Sequence, residues 1–488
     1  MGYTRIDGKR TKIVATIGPR SRDEAIIRDL IRKGMDVARI NFSHGSHETH
    51  GEVIDTIRRV SAEEGAVVAI MCDLQGPKIR IGRVATEPLM LKPGDTVTLT
   101  LDEPEGDDPY IIALPHPEFV KDIPAGAQLL LDDGNLEFEV RDANASRLIC
   151  EVVIGGPLTS RKGVTALNAR LSLSAITEKD RADVEFALRK QTDYLAMSFV
   201  RNPDDIRELR WLIRHLGGDT AIIAKIEKRE ALDTIESIIA AADGVMVARG
   251  DLGVETPAEE VPVHQKRIIQ LCNAASKPVI TATQMLSSMV DNPRPTRAEA
   301  SDVFNAIVDG TDAVMLSNET AAGSYPVEAV ATMANIALIA EKHLPVRRPE
   351  RTLSRSTGEG REIVSDAISQ ATTQISEVLN CRAVVTATLT GYTARRVARE
   401  RPATPIICVT PSEITYRRMA LVWGVIPVMI PHFTTIDEMI KLIIQRASET
   451  KLLKRGDTLI IIAGVPFGIG GQTNFLKIHR VGESGEFY

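Results

Sequence analysis

A short β-branched apolar run followed by an amphipathic stretch recurs eight times along this chain, three times before a break near Pro77 and five times after it. KIVATIGP (12–19) ends at Gly-Pro and reads as a buried strand entering a turn. RDEAIIRDLIRKG (22–34) has helical spacing and a glycine stop. DVARINFSH, HETHGEVIDTIRRVSAEEG and AVVAIMCDLQGP continue the alternation, which argues for parallel βα units. After the break, YLAMSFV, TAIIAKIE, GVMVARGDLG, KPVITATQM and AVMLSNETA read as strands. PDDIRELRWLIRHLG, KREALDTIESIIAAA and PVEAVATMANIALIAEKH read as helices between or after them. Residues 1–75 with 166–345 amount to about 255, close to the ~250 of an eight-stranded barrel. The expected fold is therefore α/β, a (β/α)8 barrel, with a doubly wound open sheet as the competing layout.

Residues 76–165 break the rhythm. DTVTLTL, QLLLDD, LEFEV and LICEVVI are short alternating segments separated by Gly, Pro and Asp, and predict a small inserted β-barrel module, all-β. PVRRPERTLSRSTGEGRE (345–362) is a charged, Pro/Arg-rich linker. Beyond it, in 346–488, CRAVVTATLTG, TPIICVT, VIPVMIP and DTLIIIAGVPFG predict the buried strands of a separate α/β domain.

Net charge narrows the function. At −6, with 4% aromatic residues, the chain is neither a broadly basic nucleic-acid binder nor a stacking platform for single strands. Cys72, Cys150, Cys272, Cys381 and Cys408 are scattered without metal spacing, which suits reduced core thiols in a cytoplasmic protein. No signal-peptide core is expected at the polar N-terminus, and no apolar run reaches membrane-spanning length. There is no GxxxxGK[ST], and GIGG (468–471) does not follow the dinucleotide fingerprint. His44, His47 and His50 could suggest zinc, but no Cys or carboxylate completes the set, and the run spans a loop and a helix start.

In such barrels function sits at the C-terminal strand ends. Those ends read Arg39, Asn41, Ser43 and His44; Asp73; Lys225 and Glu227; Arg249, Gly250 and Asp251; Thr281, Thr283 and Gln284; Ser317, Asn318 and Glu319. Lys225 and Glu227, two apart on one strand, share a face, where an ion pair alone would be a structural feature. Asp251 on the next unit adds a second carboxylate, and two carboxylates with substrate oxygens suit Mg²⁺. The Gly250 and Asp251 amides, read as opening a helix, suit an anion.

KIVATIGP, DVARINFSHG, DLQGPKIR, SRKGV, IIAKIE, ARGDLGVE, ATQML, NPRPTRAE and SDVFNAIVDGTDAVMLSNETA together resemble the motifs of the pyruvate kinase family, in family order. The resemblance implies transfer of a phosphoryl group from phosphoenolpyruvate to ADP, and a homotetramer in the cytoplasm without nucleic-acid or membrane partners. It implies Mg²⁺ (or Mn²⁺) on Glu227 and Asp251, and Lys225 beside the transferring phosphoryl group and the enolate. Arg39 and Arg80 would reach the phosphate; Gly250, Asp251, Thr283 and Ser317 would contact substrate, Thr283 also assisting protonation. His44 and Lys162 would contact nucleotide. Asn41, Ser43, Asp73 and Leu74 would line a monovalent-cation pocket. Leu74, Gln75, Lys78 and Ile81 stand where many members carry Thr, Lys, Glu and Thr, so Lys78 is expected to replace K⁺ by compensating Asp73. Thr388, Thr390, Gly391 and Thr393 resemble the family's effector phosphate loop. Met439 aligns where members activated by fructose-1,6-bisphosphate often carry Arg, which points to a monophosphate effector or none. Asn318 and Ala322 also depart from the common pattern, outside the substrate's immediate neighbours. The rival readings are a Mg²⁺-dependent 2-oxo acid aldolase or lyase, which would need no ADP, and a catalytically silent sensor, against which Lys225, Glu227, Asp251 and Thr283 speak.

Overall fold

A computed structural model describes residues 8–482 apart from 104, 105, 107, 168, 170, 171, 173, 345–360, 450, 451 and 468–470. Residues 345–360 of the expected linker and most of GIGG therefore lie outside the described residues.

Eight parallel strands close into a barrel: β1 (Lys12–Ile17), β2 (Val37–Asn41), β3 (Ala69–Asp73), β4 (Tyr194–Met197), β5 (Ala221–Ile226), β6 (Gly244–Ala248), β7 (Val279–Ala282) and β8 (Ala313–Leu316). β1 pairs with both β2 and β8, which closes the ring and excludes the open-sheet alternative. Nearly every strand residue is buried, as a parallel sheet covered on both faces requires. Alternate residues face helices or the barrel interior. Ile13, Ala15 and Ile17 of β1 join the helix-facing core, while Val14 packs inside with Met71, Ile223, Met246, Ile280 and Met315.

The helices start and stop where side chains dictate. Ser46, Thr177, Asn202 and Thr296 each form a capping box, satisfying first-turn amides of the helices His47–Glu63, Glu178–Arg189, Pro203–His215 and Arg297–Asp309. Gly34 ends Glu24–Lys33 at φ 114°, its N–H returning to the carbonyls of Leu30 and Ile31. KREALDTIESIIAAA departs from the expected single helix: it divides at Thr234 into Arg229–Asp233 and Ile235–Ala241, and the Thr234 hydroxyl donates to the Arg201 carbonyl across the break.

The insert between β3 and β4 has its own core, around Phe119 and Phe138. Six strands order as Val164–Leu167, Gln128–Leu131, Leu136–Ala143, Arg147–Ile154, Thr96–Thr100 and Ile111–Ala113, and Leu89–Leu91 pairs separately with Gly156–Leu158. It is not purely strand: Pro117–Asp122 is a helix, opened by Pro117, whose missing N–H costs nothing in a first turn.

The C-terminal domain is a sheet ordered Val425–Met429, Ile406–Thr410, Ala383–Ala387, Thr458–Ala463 and Phe475–Arg480. The first four are parallel and match the expected strands; the fifth is antiparallel. Its connection Met419–Leu421 closes the foot of the barrel, with Ala420 and Leu421 in the interior cluster and the Tyr194 hydroxyl donating to the Arg418 carbonyl at 2.6 Å. Met439 lies fully buried in this domain's core. That position presents no side chain to a ligand, so it says nothing about effector choice. All five cysteines are buried and unpaired; burial pushes the Cys150 and Cys408 thiols up to about 12. Among the described residues no helix is long and apolar enough to cross a membrane.

Candidate active site

Lys225 is the penultimate residue of β5, at the barrel mouth, with 9% of its surface exposed, beside Glu227 at 3% and Asp73 at 1%. Its Nζ lies 2.8 Å from Glu227 Oε1 and 3.1 Å from Asp73 Oδ1, and donates to Ser198 Oγ at 2.6 Å. Burial works against the ammonium, but Asp73 and Glu227 outweigh it and hold Lys225 above its ordinary pKa. These partners favour the charged form of Lys225 and hold its ammonium in place.

Asp73 is fully engaged. Besides Lys225, it takes Arg39 Nε at 2.7 Å and Ser198 Oγ at 3.3 Å. Burial alone would raise its carboxyl, yet Lys225 and Arg39 keep it below its ordinary value. This corrects one expectation: Asp73 needs no compensation from Lys78, and no ion pair joins them among the described residues. Lys78 instead lines a cavity between barrel and insert that also takes in Phe119, Glu227, Asp251 and Val254. Arg39 Nη1 donates to Thr16 Oγ1 at 2.9 Å, which fixes its guanidinium at the mouth.

Glu227 accepts the Phe199 N–H at 2.7 Å. Burial raises its carboxyl above the ordinary value and Asp251 raises it further, against Lys225. Asp251 itself makes no hydrogen bond or ion pair among the described residues. Two facing carboxylates, one of them unpartnered, are hard oxygen donors short of positive charge, and so fit a divalent cation. The helix Arg249–Glu255 begins two residues before Asp251, which was expected to open it, and is only seven residues long. Its Gly250 N–H is already donated to Thr283 Oγ1 at 2.8 Å, while Thr283 (φ 67°) donates to the Ala282 carbonyl at 2.6 Å. The expected anion cradle is therefore occupied by Thr283 here. Arg249 locks this corner, reaching Asp302 and the Thr283 carbonyl, each at 2.8 Å.

The remaining expected residues divide. The Ser317 N–H donates to Glu319 at 2.7 Å, and its buried hydroxyl has no partner among the described residues. Asn41 accepts from the Ser43 N–H at 3.1 Å, and the Leu74 side chain is buried while its carbonyl takes Ser198 Oγ at 2.8 Å. Arg80 places its guanidinium on the Arg161 carbonyl at 2.8 Å. Lys162 pairs with Asp132 of the insert at 2.6 Å. His47 and His50 serve packing. His47 binds Asp183 at 2.7 Å and stacks on Phe186, and His50 binds the exposed His44 through its carbonyl at 2.7 Å. In the C-terminal loop Gly391 (φ 77°) donates to Thr388 Oγ1 at 3.1 Å, Thr390 is exposed, and the Thr393 hydroxyl is buried against Thr473 at 2.9 Å.

Sequence reasoning missed Ser198 and Phe199, which tie Lys225, Asp73 and Glu227 into one network. Both follow β4, the strand whose end was passed over; applying the strand-end rule to YLAMSFV would have found Ser198.

A closed barrel that gathers a fixed ammonium, a guanidinium and free carboxylate at one mouth, beneath an inserted module, defines an enzyme acting on a small anionic substrate. A family model described as "Pyruvate kinase, barrel domain" matches residues 8–330, and one described as "Pyruvate kinase, alpha/beta domain" matches residues 366–479. Pyruvate kinase of Geobacillus stearothermophilus is 48% identical over 97% of this chain and 81% of its own; that of Clostridium perfringens is 45% identical over 97% and 100%. The crystal structure of a pyruvate kinase from Cryptosporidium parvum superposes with a TM-score of 0.90 at 35% identity, covering 97% of this chain and 96% of the other. The chain belongs to the pyruvate kinase family, and its activity is phosphoryl transfer from phosphoenolpyruvate to ADP.

Proposed function

We propose that the Lys225 network is where this transfer occurs, and that Glu227 and Asp251 hold the divalent cation that the family requires. The carrying observation is the buried Lys225–Glu227 ion pair, with the unpaired Asp251 carboxylate near enough to raise Glu227. Phosphoryl transfer is catalysed mainly by positioning and by offsetting charge on the moving group. Lys225 and Arg39 supply fixed positive charge, and Asp73 and Ser198 hold Lys225 in place. A bound divalent cation would withdraw charge from the phosphoryl and enolate oxygens. Lys225 Nζ is engaged by Glu227, Asp73 and Ser198, so the proton for the enolate carbon is assigned to another group. Thr283, with a water, is the candidate, and it must first release the Ala282 carbonyl and the Gly250 N–H. Gly250, Asp251 and Ser317 take the substrate, and the unpartnered Ser317 hydroxyl supports that role. His44 and Lys162 reach ADP, with Arg80 arriving at the phosphate when the insert moves. The test is pyruvate formation from phosphoenolpyruvate with and without ADP: pyruvate made equally well without ADP would sink this reading in favour of hydrolysis, with water taking the phosphoryl group.

Potassium independence belongs to the same proposal, on altered grounds. Lys78 makes no ion pair among the described residues and lines the cavity that holds Glu227 and Asp251, where it offsets carboxylate charge as a tethered ammonium. In buffer freed of K⁺, Na⁺ and NH₄⁺ the enzyme should run at full rate, and Lys78→Glu should create a K⁺ requirement. Stimulation of the parent by about tenfold, a 1.4 kcal/mol effect, would refute it.

A further inference from the structure

We propose that Asp180 is a positioning residue for phosphoryl transfer: its carboxylate fastens both connections of the insert to the barrel, and so sets where Arg80 and Lys162 stand over the mouth. The inference rests on the roles given to those two cations above.

The two cores show where the connections lie. Past β3, Leu74 still packs in the helix-facing core of the barrel, while Ile79 and Ile81 belong to the core of the insert. On the return, the Ser172 N–H donates to Asp122 of the insert at 2.6 Å, and Ala175 and Ile176 are back in the barrel core. The outgoing connection is thus 75–78, and the return is complete just before Thr177.

Asp180 holds both. It sits in the first turn of the helix Glu178–Arg189 and is 1% exposed. One carboxylate oxygen takes the Thr177 N–H at 2.9 Å and the Thr177 hydroxyl at 2.6 Å, which completes the capping box. The other oxygen is not needed for the cap. It takes the buried Gly76 N–H at 3.1 Å, 104 residues away in sequence. No cation pairs with Asp180 among the described residues, so these hydrogen bonds alone compensate a buried carboxylate, and losing one is costly.

Gly76 lies where the chemistry can feel it. Its φ is 66°, and a β-carbon there would stand 2.8 Å from Phe199 Cδ2 and 3.2 Å from Ser198 Cβ. Ser198 and Phe199 are the residues that engage Lys225 and Glu227. Beyond Gly76 the outgoing chain pairs with the returning one as a ribbon. The Ile81 N–H donates to the Lys162 carbonyl and the Val164 N–H to the Ile79 carbonyl, each at 3.0 Å, with Arg80 opposite Gly163. Arg80 and Lys162 both stand on this ribbon, so a rotation at 75–78 swings the two cations together.

Asp180→Asn separates the cap from the clamp. Thr177 offers two donors and Gly76 one, so the amide oxygen stays with Thr177 and the Gly76 N–H loses its acceptor. Hydrogen–deuterium exchange of the full chain should then speed about tenfold at 75–78, with the helix Glu178–Arg189 still protected. At saturating phosphoenolpyruvate the KM for ADP should rise about tenfold, because the insert is correctly placed for a smaller fraction of the time. Saturating ADP draws it back, so kcat should stay within about twofold. Thr177→Val is the structural control: it weakens the cap and leaves the Gly76 bond, so it should lower the melting temperature without moving exchange at 75–78 or the KM for ADP. Should Asp180→Asn not fold, Gly76→Ala, which crowds the same bond from the other side, must raise the KM for ADP. Unchanged exchange at 75–78 overturns the clamp, and faster exchange with an unmoved KM for ADP overturns its part in the reaction. Exchange uses no turnover, so its failure is told apart from a failure of the phosphoryl-transfer reading.

Discussion

Two carboxylates, Asp73 and Glu227, share the single ammonium of Lys225, and each has further support: Arg39 and the Ser198 hydroxyl for Asp73, and the Phe199 amide for Glu227. Lys225→Met therefore leaves Asp73 paired, while Glu227, already raised by burial and by Asp251, can take up a proton instead of remaining an unpaired charge. The fold should survive and the chemistry should not. Losing one preorganised donor to developing charge costs about 10²–10³ in rate. Steady-state pyruvate formation by a variant with a parent-like melting curve checks this, and a rate within about tenfold of the parent would remove Lys225 from the mechanism.

Strand ends carried the reading of this site because apolar strands that finish in charged residues are hard to explain as surface, and Lys225, Glu227, Asp251 and Thr283 came from that pattern. Ser198 did not, since the end of YLAMSFV was passed over, and its tie to Lys225 shows only once the fold brings the two strand ends together. Elements showed the same divide. The apolar period runs unbroken through KREALDTIESIIAAA, and only the contact of Thr234 with Arg201 marks the break. The strand Phe475–Arg480 carries Lys477, His479 and Arg480 and is largely unburied, as an edge strand is, so no apolar run announced it. By contrast the stop at Gly34 was legible, and it yields a prediction. At φ 114° a β-carbon is strained whatever the space available, while the nearest neighbour, Lys9 Cε at 2.8 Å, is the movable end of a side chain. Gly34→Ala should cost about 1–3 kcal/mol through the backbone. Urea denaturation followed by circular dichroism measures it, and an unchanged midpoint would show that the helix end relaxes freely.

The molecule has separate cores in its barrel, insert and C-terminal domain, and the last is joined to the first by a plug. Leu421 is that plug: fully buried, it completes the barrel's interior cluster from below although it lies more than 100 residues beyond β8. A leucine truncated in such a place loses its transfer energy and leaves a cavity that rigid strands cannot close, so Leu421→Ala should cost about 2–5 kcal/mol. The loss should fall on docking, because Leu421 joins no cluster within the C-terminal sheet. The chain offers a reporter for this junction. Of its two tryptophans, Trp211 is already 61% exposed, whereas Trp423 is 2% exposed beneath the guanidinium groups of Arg10 and Arg401. A red shift of tryptophan emission with rising denaturant therefore tracks the opening of the foot of the barrel. In Leu421→Ala that shift should come at lower denaturant than in the parent, ahead of the loss of helical circular dichroism. Coincidence of the two transitions at the parent's midpoint would mean that the plug contributes nothing to holding the domains together.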